Sequence, residues 1–158
     1  MTANDGPLIY LDADACPVKE QVYRVAARYQ VPVIVVANSP MRIPTQPGLT
    51  ARLEVVPDHP DAADDLIVER ATPRDLVLTA DIPLAARVIA NGVRALDFRG
   101  GEYNPNRIGD AVAARDLNAY LRVMGLETGG PPAFSPKDKG KFASTLDAAV
   151  SRLVREAT

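Results

Sequence analysis

Apolar strand-like runs alternate with amphipathic helix-like segments along most of this chain, which restricts the fold to α/β wrapping of a mostly parallel sheet. The strand-like runs fall at residues 7–12, 31–37, 53–56, 76–79 and 93–98. The first two are apolar almost throughout, the pattern of strands covered on both faces. Between them Pro17 is placed to open a helix with the apolar stripe Val18, Val22, Val25, Ala26 and Tyr29. Further helices are expected over 61–71, capped by Asp61, and over 83–91, closed by Gly92. Past Gly101 the pattern turns helical, over about 105–124 and 139–157. The expectation is a single three-layer α/β domain of about five strands, with the C-terminal third as a helical cover over the sheet.

A chain of 158 residues is one domain's worth, and such a domain buries roughly 70% of its unfolded surface. Cys16 is the one cysteine, so no internal disulfide can form and a reducing compartment is expected. Residues 1–7 have neither a basic nor an apolar targeting region, and no apolar run reaches the ~18 residues of a membrane span. The expected location is therefore cytoplasmic, without membrane; the oligomeric state stays open. A net charge of −2 argues against nucleic-acid binding by bulk charge, but the charge is unevenly placed. Residues 53–81 carry eight acids against two arginines, whereas 99–141 carry seven Lys/Arg against five acids. Three of the four lysines, Lys137, Lys139 and Lys141, fall in one short stretch with Phe134 and several glycines. That stretch reads as a loop suited to tracking a nucleic-acid backbone.

Acids gather where strand-like runs stop. The first run ends Asp12-Ala13-Asp14, the third leads through Asp58 to Asp64-Asp65, and the fourth ends Thr79-Ala80-Asp81. In an open parallel sheet the carboxyl ends of the strands share one edge, where ligands bind. Aspartates remote in sequence then converge, and they repel unless protonated or bridged by a cation. For an oxygen-only cluster that cation is Mg²⁺ or Mn²⁺. Each acid also has an ordinary explanation: Asp12 or Asp14 as a cap for the next helix, Asp64 and Asp65 as acids in a helix's first turn, Asp81 as an N-cap before Ile82-Pro83. Thr79 is placed to orient a water by its hydroxyl. The one histidine, His59, reads as a solvated loop residue, and Cys16 as a small buried one. No Gly-rich loop follows the first strand, which argues against dinucleotide and P-loop sites. Candidate phosphate contacts are Asn38, Ser39, Arg42, Arg99, Arg107 and Arg115, with Lys137, Lys139 and Lys141.

The segments Asp12-Ala13-Asp14-Ala15-Cys16-Pro17-Val18, Val36-Ala37-Asn38-Ser39, Ala63-Asp64-Asp65 and Leu78-Thr79-Ala80-Asp81-Ile82-Pro83-Leu84-Ala85 resemble the YaiI/YqxD family, as do Arg99-Gly100-Gly101 and Gly129-Gly130-Pro131. The resemblance runs from about residue 8 to 153, and the family is itself uncharacterised. In plan it is similar to PIN-domain nucleases, with Asp12, Asp64 and Asp81 in the places of their acids and Thr79 in that of their threonine. This implies a divalent-metal phosphodiesterase acting on RNA or another phosphorylated substrate, with Asp12, Asp81 and Asp64 holding Mg²⁺ or Mn²⁺. Asp14 is then a further ligand or the group that orients water, and Asp97 or Asp110 a candidate fourth acid.

Two rival readings stand beside it. In a haloacid-dehalogenase-like phosphatase Asp12 is the nucleophile, Asp14 its acid/base partner, Ser39 a phosphate ligand and Asp81 a magnesium ligand. That chemistry uses a lysine between the serine and the last acids, and none exists between Lys19 and Lys137. The other reading is a binding module without turnover.

Overall fold

The structure, a computed structural model, describes residues 6–126 and 133–157. Five strands form one all-parallel sheet: β1 (Ile9–Asp12), β2 (Val33–Ala37), β3 (Ala51–Val55), β4 (Leu76–Leu78) and β5 (Arg94–Leu96). Five helices accompany them: α1 (Lys19–Tyr29), α2 (Ala62–Arg70), α3 (Ile82–Ala90), α4 (Pro105–Val123) and α5 (Pro136–Ala157). The strand order is β3-β2-β1-β4-β5, so the chain reverses direction across the sheet between β1 and β4. At that switch point the loops after β1 and β4 part to opposite sides and leave a crevice.

Alternation along the strands divides the core in two. Ile9, Leu11, Val33, Val35, Leu76 and Leu78 face one side, against Val22 and Val25 of α1 and Phe142, Leu146, Val150 and Leu153 of α5. Tyr10, Ile34, Val36, Val77 and Ala95 face the other, against Ile67 of α2 and Leu84, Ala85 and Val88 of α3. Both faces are covered, which makes the domain three-layered. No helix among the described residues is long and apolar enough to cross a membrane.

The helical cover over the last third is supplied by α5 alone. Helix α4 lies against α3 and buries none of its side chains; Leu117, Tyr120, Val123 and Met124 stand more than half exposed. Leu117, Tyr120 and Met124 recur at i, i+3 and i+7, so an apolar stripe exists, but it is turned to solvent and not to the sheet. Two helix starts and one cap also differ from expectation. Helix α1 begins at Lys19, two residues past Pro17, with Val18 at its N-cap position. Asp61 is the N-cap residue of α2 but its side chain makes no capping hydrogen bond. Helix α5 starts at Pro136, so Lys137, Lys139 and Lys141 lie on its first two turns and not in a loop. Gly129-Gly130-Pro131 lies outside the described residues.

Candidate functional site

Strand β1 ends in Asp12, and the register pairing Leu11 with Leu78 continues to set Asp12 beside Thr79. Thr79 is fully buried; its Oγ1 donates to Asp12 Oδ2 at 2.6 Å and accepts from Asp81 N at 2.9 Å. One hydroxyl thus ties two aspartates together. Asp81 caps α3, its Oδ1 accepting from Leu84 N at 3.0 Å. The ordinary role predicted for Asp81 is real and coexists with its place in the site.

Asp14 lies beyond the strand, in a turn, where both of its oxygens accept from Asn38 N at 3.1–3.2 Å. Asn38 follows β2, and its Nδ2 donates to Asp58 Oδ1 at 3.1 Å. Of the adjacent acids on α2, Asp64 turns toward the other aspartates, while Asp65 pairs with Arg87 of α3 at 3.0 Å. A cavity of about 300 Å³ results at the carboxyl edge of the sheet, lined by Asp12, Asp14, Asp58, Asp64 and Asp81 with Asn38, His59 and Ala63.

Among the described residues, five carboxylates and no lysine or arginine line this cavity. Burial pushes the Asp12 carboxyl above its ordinary range, the Thr79 hydroxyl opposes this, and the charges of Asp81 and Asp14 raise it further. Asp64 is pushed up to about 6, first by burial and then by the charges of Asp81 and Asp12, with Arg87 opposing. Crowded carboxylates with raised affinity for protons have the same physical cause as a site for a cation. Among the described residues no group of three or more His, Cys, Asp or Glu is arranged to hold a metal ion. Mg²⁺ keeps several of its waters and takes only one or two carboxylates directly, so two of these acids could hold one without such a group.

Asp12, Asp14, Asp64, Asp81, Thr79 and Asn38 are therefore brought together. Ser39 and Arg42 are exposed and do not line the cavity. Asp58 extends the set beyond the expected acids; it lies three residues past the end of β3, as Asp81 lies three past β4 and Asp14 two past β1. His59 is exposed, as expected of a loop histidine, yet it reaches the cavity wall. Cys16 is buried, which pushes its thiol up to about 11 and makes it a poor nucleophile.

Asp97 is not a fourth acid of this cavity. Its Oδ1 accepts from Arg99 N and Gly101 N, each at 2.8 Å, and its Oδ2 pairs with Arg107. Asp110 is exposed on α4. Arg99 and Arg107 line a second cavity, of about 420 Å³, whose wall also includes Ala15, Ala80 and Ile82, the neighbours of Asp14 and Asp81. Lys137, Lys139 and Lys141 are exposed and line neither cavity, and Arg115 is exposed on α4.

Residues 10–152 match the family described as "Uncharacterized BCR, YaiI/YqxD family". A "UPF0178 protein" of Trichlorobacter lovleyi is 48% identical over 151 residues, covering 94% of this chain and 97% of the relative. One of Caulobacter sp. (strain K31) is 49% identical over 148 residues, covering 94% and 97%. One of Rhodopseudomonas palustris (strain BisB18) is 47% identical over 147 residues, covering 93% and 94%. No solved structure matches the chain. With a match that spans the sheet, the aspartate cavity and α5, the chain belongs to the YaiI/YqxD family.

Proposed function

We propose that this protein is a divalent-metal-dependent phosphodiesterase, with RNA as its substrate, working at the aspartate cavity. The observation that carries the reading is the convergence of Asp12, Asp14, Asp58, Asp64 and Asp81 on one cavity at the switch point of a parallel sheet. RNA enters through the similarity in plan to PIN-domain nucleases, for which Asp12, Asp64, Asp81 and Thr79 are the corresponding residues. A cavity lined by five aspartates, with no lysine or arginine among its described residues, repels a phosphodiester, so a cation has to precede the substrate.

Asp12 and Asp81 are the candidate direct ligands, with Asp14 and Asp64 acting directly or through water. A bound Mg²⁺ or Mn²⁺ supplies Lewis-acid stabilisation of charge on the phosphoryl oxygens and acidifies a water. Thr79 fixes the rotamer of Asp12 and the backbone at Asp81. Asn38 fixes Asp14 through its backbone N–H and Asp58 through its side chain.

The phosphatase reading draws less support, because Ser39 does not line the cavity that holds Asp12. The test is incubation of an end-labelled single-stranded RNA with the protein in Mn²⁺ or in EDTA. Cleavage is expected in Mn²⁺ alone, with Asp12→Asn and Asp81→Asn reduced to the EDTA level. Intact RNA alongside a trapped phosphoaspartate at Asp12 would favour the phosphatase instead.

A further inference from the structure

The second cavity has a chemistry opposite to the first. Its wall is largely apolar, made by Pro17, Ile82, Phe98 and Phe134 with the two alanines at 15 and 80. Each of its arginines lies over an aromatic ring: the Arg99 guanidinium carbon is 5.4 Å from the Phe134 centroid, and that of Arg107 is 4.3 Å from the Tyr103 centroid. Each is also ion-paired, Arg99 with Asp138 at 3.0 Å and Arg107 with Asp97. With their charges matched, these arginines present planar, weakly hydrated surfaces more than net positive charge. That argues against an anion site and for a flat, neutral, polarisable group, which stacks on aromatic and guanidinium planes. A volume of about 420 Å³ lies within the usual span of small-molecule sites.

The two cavities share a wall one residue thick. Ala80 and Ile82 line the apolar side while Asp81, between them, lines the acidic side, and Ala15 and Asp14 divide in the same way. A group bound in one is thus held next to a group bound in the other. We propose that the apolar cavity takes the base of a nucleotide whose phosphate lies at the aspartate cavity, so that the substrate is recognised through a stacked base as well as through its phosphate. This rests on the phosphodiesterase reading for the phosphate, and on the second cavity alone for the base.

The test measures binding of adenosine 5′-monophosphate and ribose 5-phosphate in Mn²⁺, and of adenosine in EDTA, by calorimetry and saturation-transfer NMR. Mn²⁺ affinity is read separately by electron paramagnetic resonance. The nucleotide is expected to bind about tenfold more tightly than the sugar phosphate, the gain typical of one stacked base. Phe134→Ala, at a half-buried position, should remove that margin and leave the Mn²⁺ and ribose 5-phosphate affinities unchanged. Ala15→Trp, which fills the cavity from an exposed position, should do the same. Equal affinity for the two phosphates in the wild type, or equal loss of both in the variants, would overturn the proposal. Adenosine binding in EDTA that Phe134→Ala abolishes supports the pocket even where Mn²⁺ fails to bind, so the two readings fail separately.

Discussion

Thr79 has no solvent exposure, and its hydroxyl holds Asp12 with its hydrogen while accepting from the Asp81 backbone. Replacing it by valine keeps the shape and strands both partners, a loss of about 1–3 kcal/mol for buried polar groups left unpaired. Urea unfolding of Thr79→Val should show that loss, and Thr79→Ser, which keeps the hydroxyl, should recover most of it. The serine variant should also retain RNA cleavage that the valine variant lacks. The pairing of Thr79 with Asp12 was not legible: the sequence suggested that Thr79 orients a water, and only the adjacency of β1 and β4 brings its hydroxyl to Asp12. Nor was the choice between Asp64 and Asp65. Adjacent helical residues differ by about 100° in direction, and only the position of Arg87, one helix away, decides which acid is drawn off into an ion pair.

At the scale of elements, α3 begins on a residue that also belongs to the site. Asp81→Asn keeps a good N-cap and removes the charge, whereas Asp81→Ala removes both. Chemical denaturation should place the alanine variant about 1 kcal/mol below the asparagine variant, while both lose Mn²⁺ binding. Similar stability in the two would show that the capping bond contributes nothing. The start of α5 depends on Gly100, which has φ of +89°; a Cβ there would lie 3.0 Å from the backbone carbonyl of Lys141. Gly100→Ala should cost more than 1 kcal/mol in the same measurement, because left-handed backbone alone costs about 1–2 kcal/mol. Strand and helix types were legible in all ten elements, from apolar runs and stripes or from caps and breakers, and their ends less so. Strand β3 begins at Ala51 because it pairs with β2 along its whole length, although as an edge strand its Arg52 and Glu54 break the apolar run. The exposure of α4 was hidden because Leu117, Tyr120 and Met124 have the spacing of a buried face and yet are turned to solvent.

For the whole molecule, ionisation of Asp12 and Asp64 opposes folding while no cation neutralises the site. The Asp64 carboxyl keeps its proton to about pH 6 in the folded state, against an ordinary value of 3.8. From about pH 4 to 6 the folded chain therefore holds a proton that the unfolded chain has released, and stability falls as pH rises through that window. Asp12 acts with the same sign. Thermal melts in EDTA should show this decline, and Asp64→Asn should flatten it. Saturating Mn²⁺ should offset it above pH 6, adding about 2.7 kcal/mol at a hundredfold excess over Kd and raising Tm by roughly 5–10 °C. This coupling was only partly visible beforehand. Asp12, Asp14, Asp64 and Asp81 could be named from strand ends, but the β3-β2-β1-β4-β5 order that brings them to one crevice is a long-range property of the packed sheet. Asp58 joins them only because Asn38, at the end of β2, reaches across to it.

The most direct measurement is titration of Mn²⁺ into wild type and Asp12→Asn at pH 7.5, followed by electron paramagnetic resonance. Submillimolar binding to the wild type, weakened at least tenfold by the single substitution, is the predicted result. Equal binding by the two proteins, or none by either, would contradict the assignment of the aspartate cavity as a cation site.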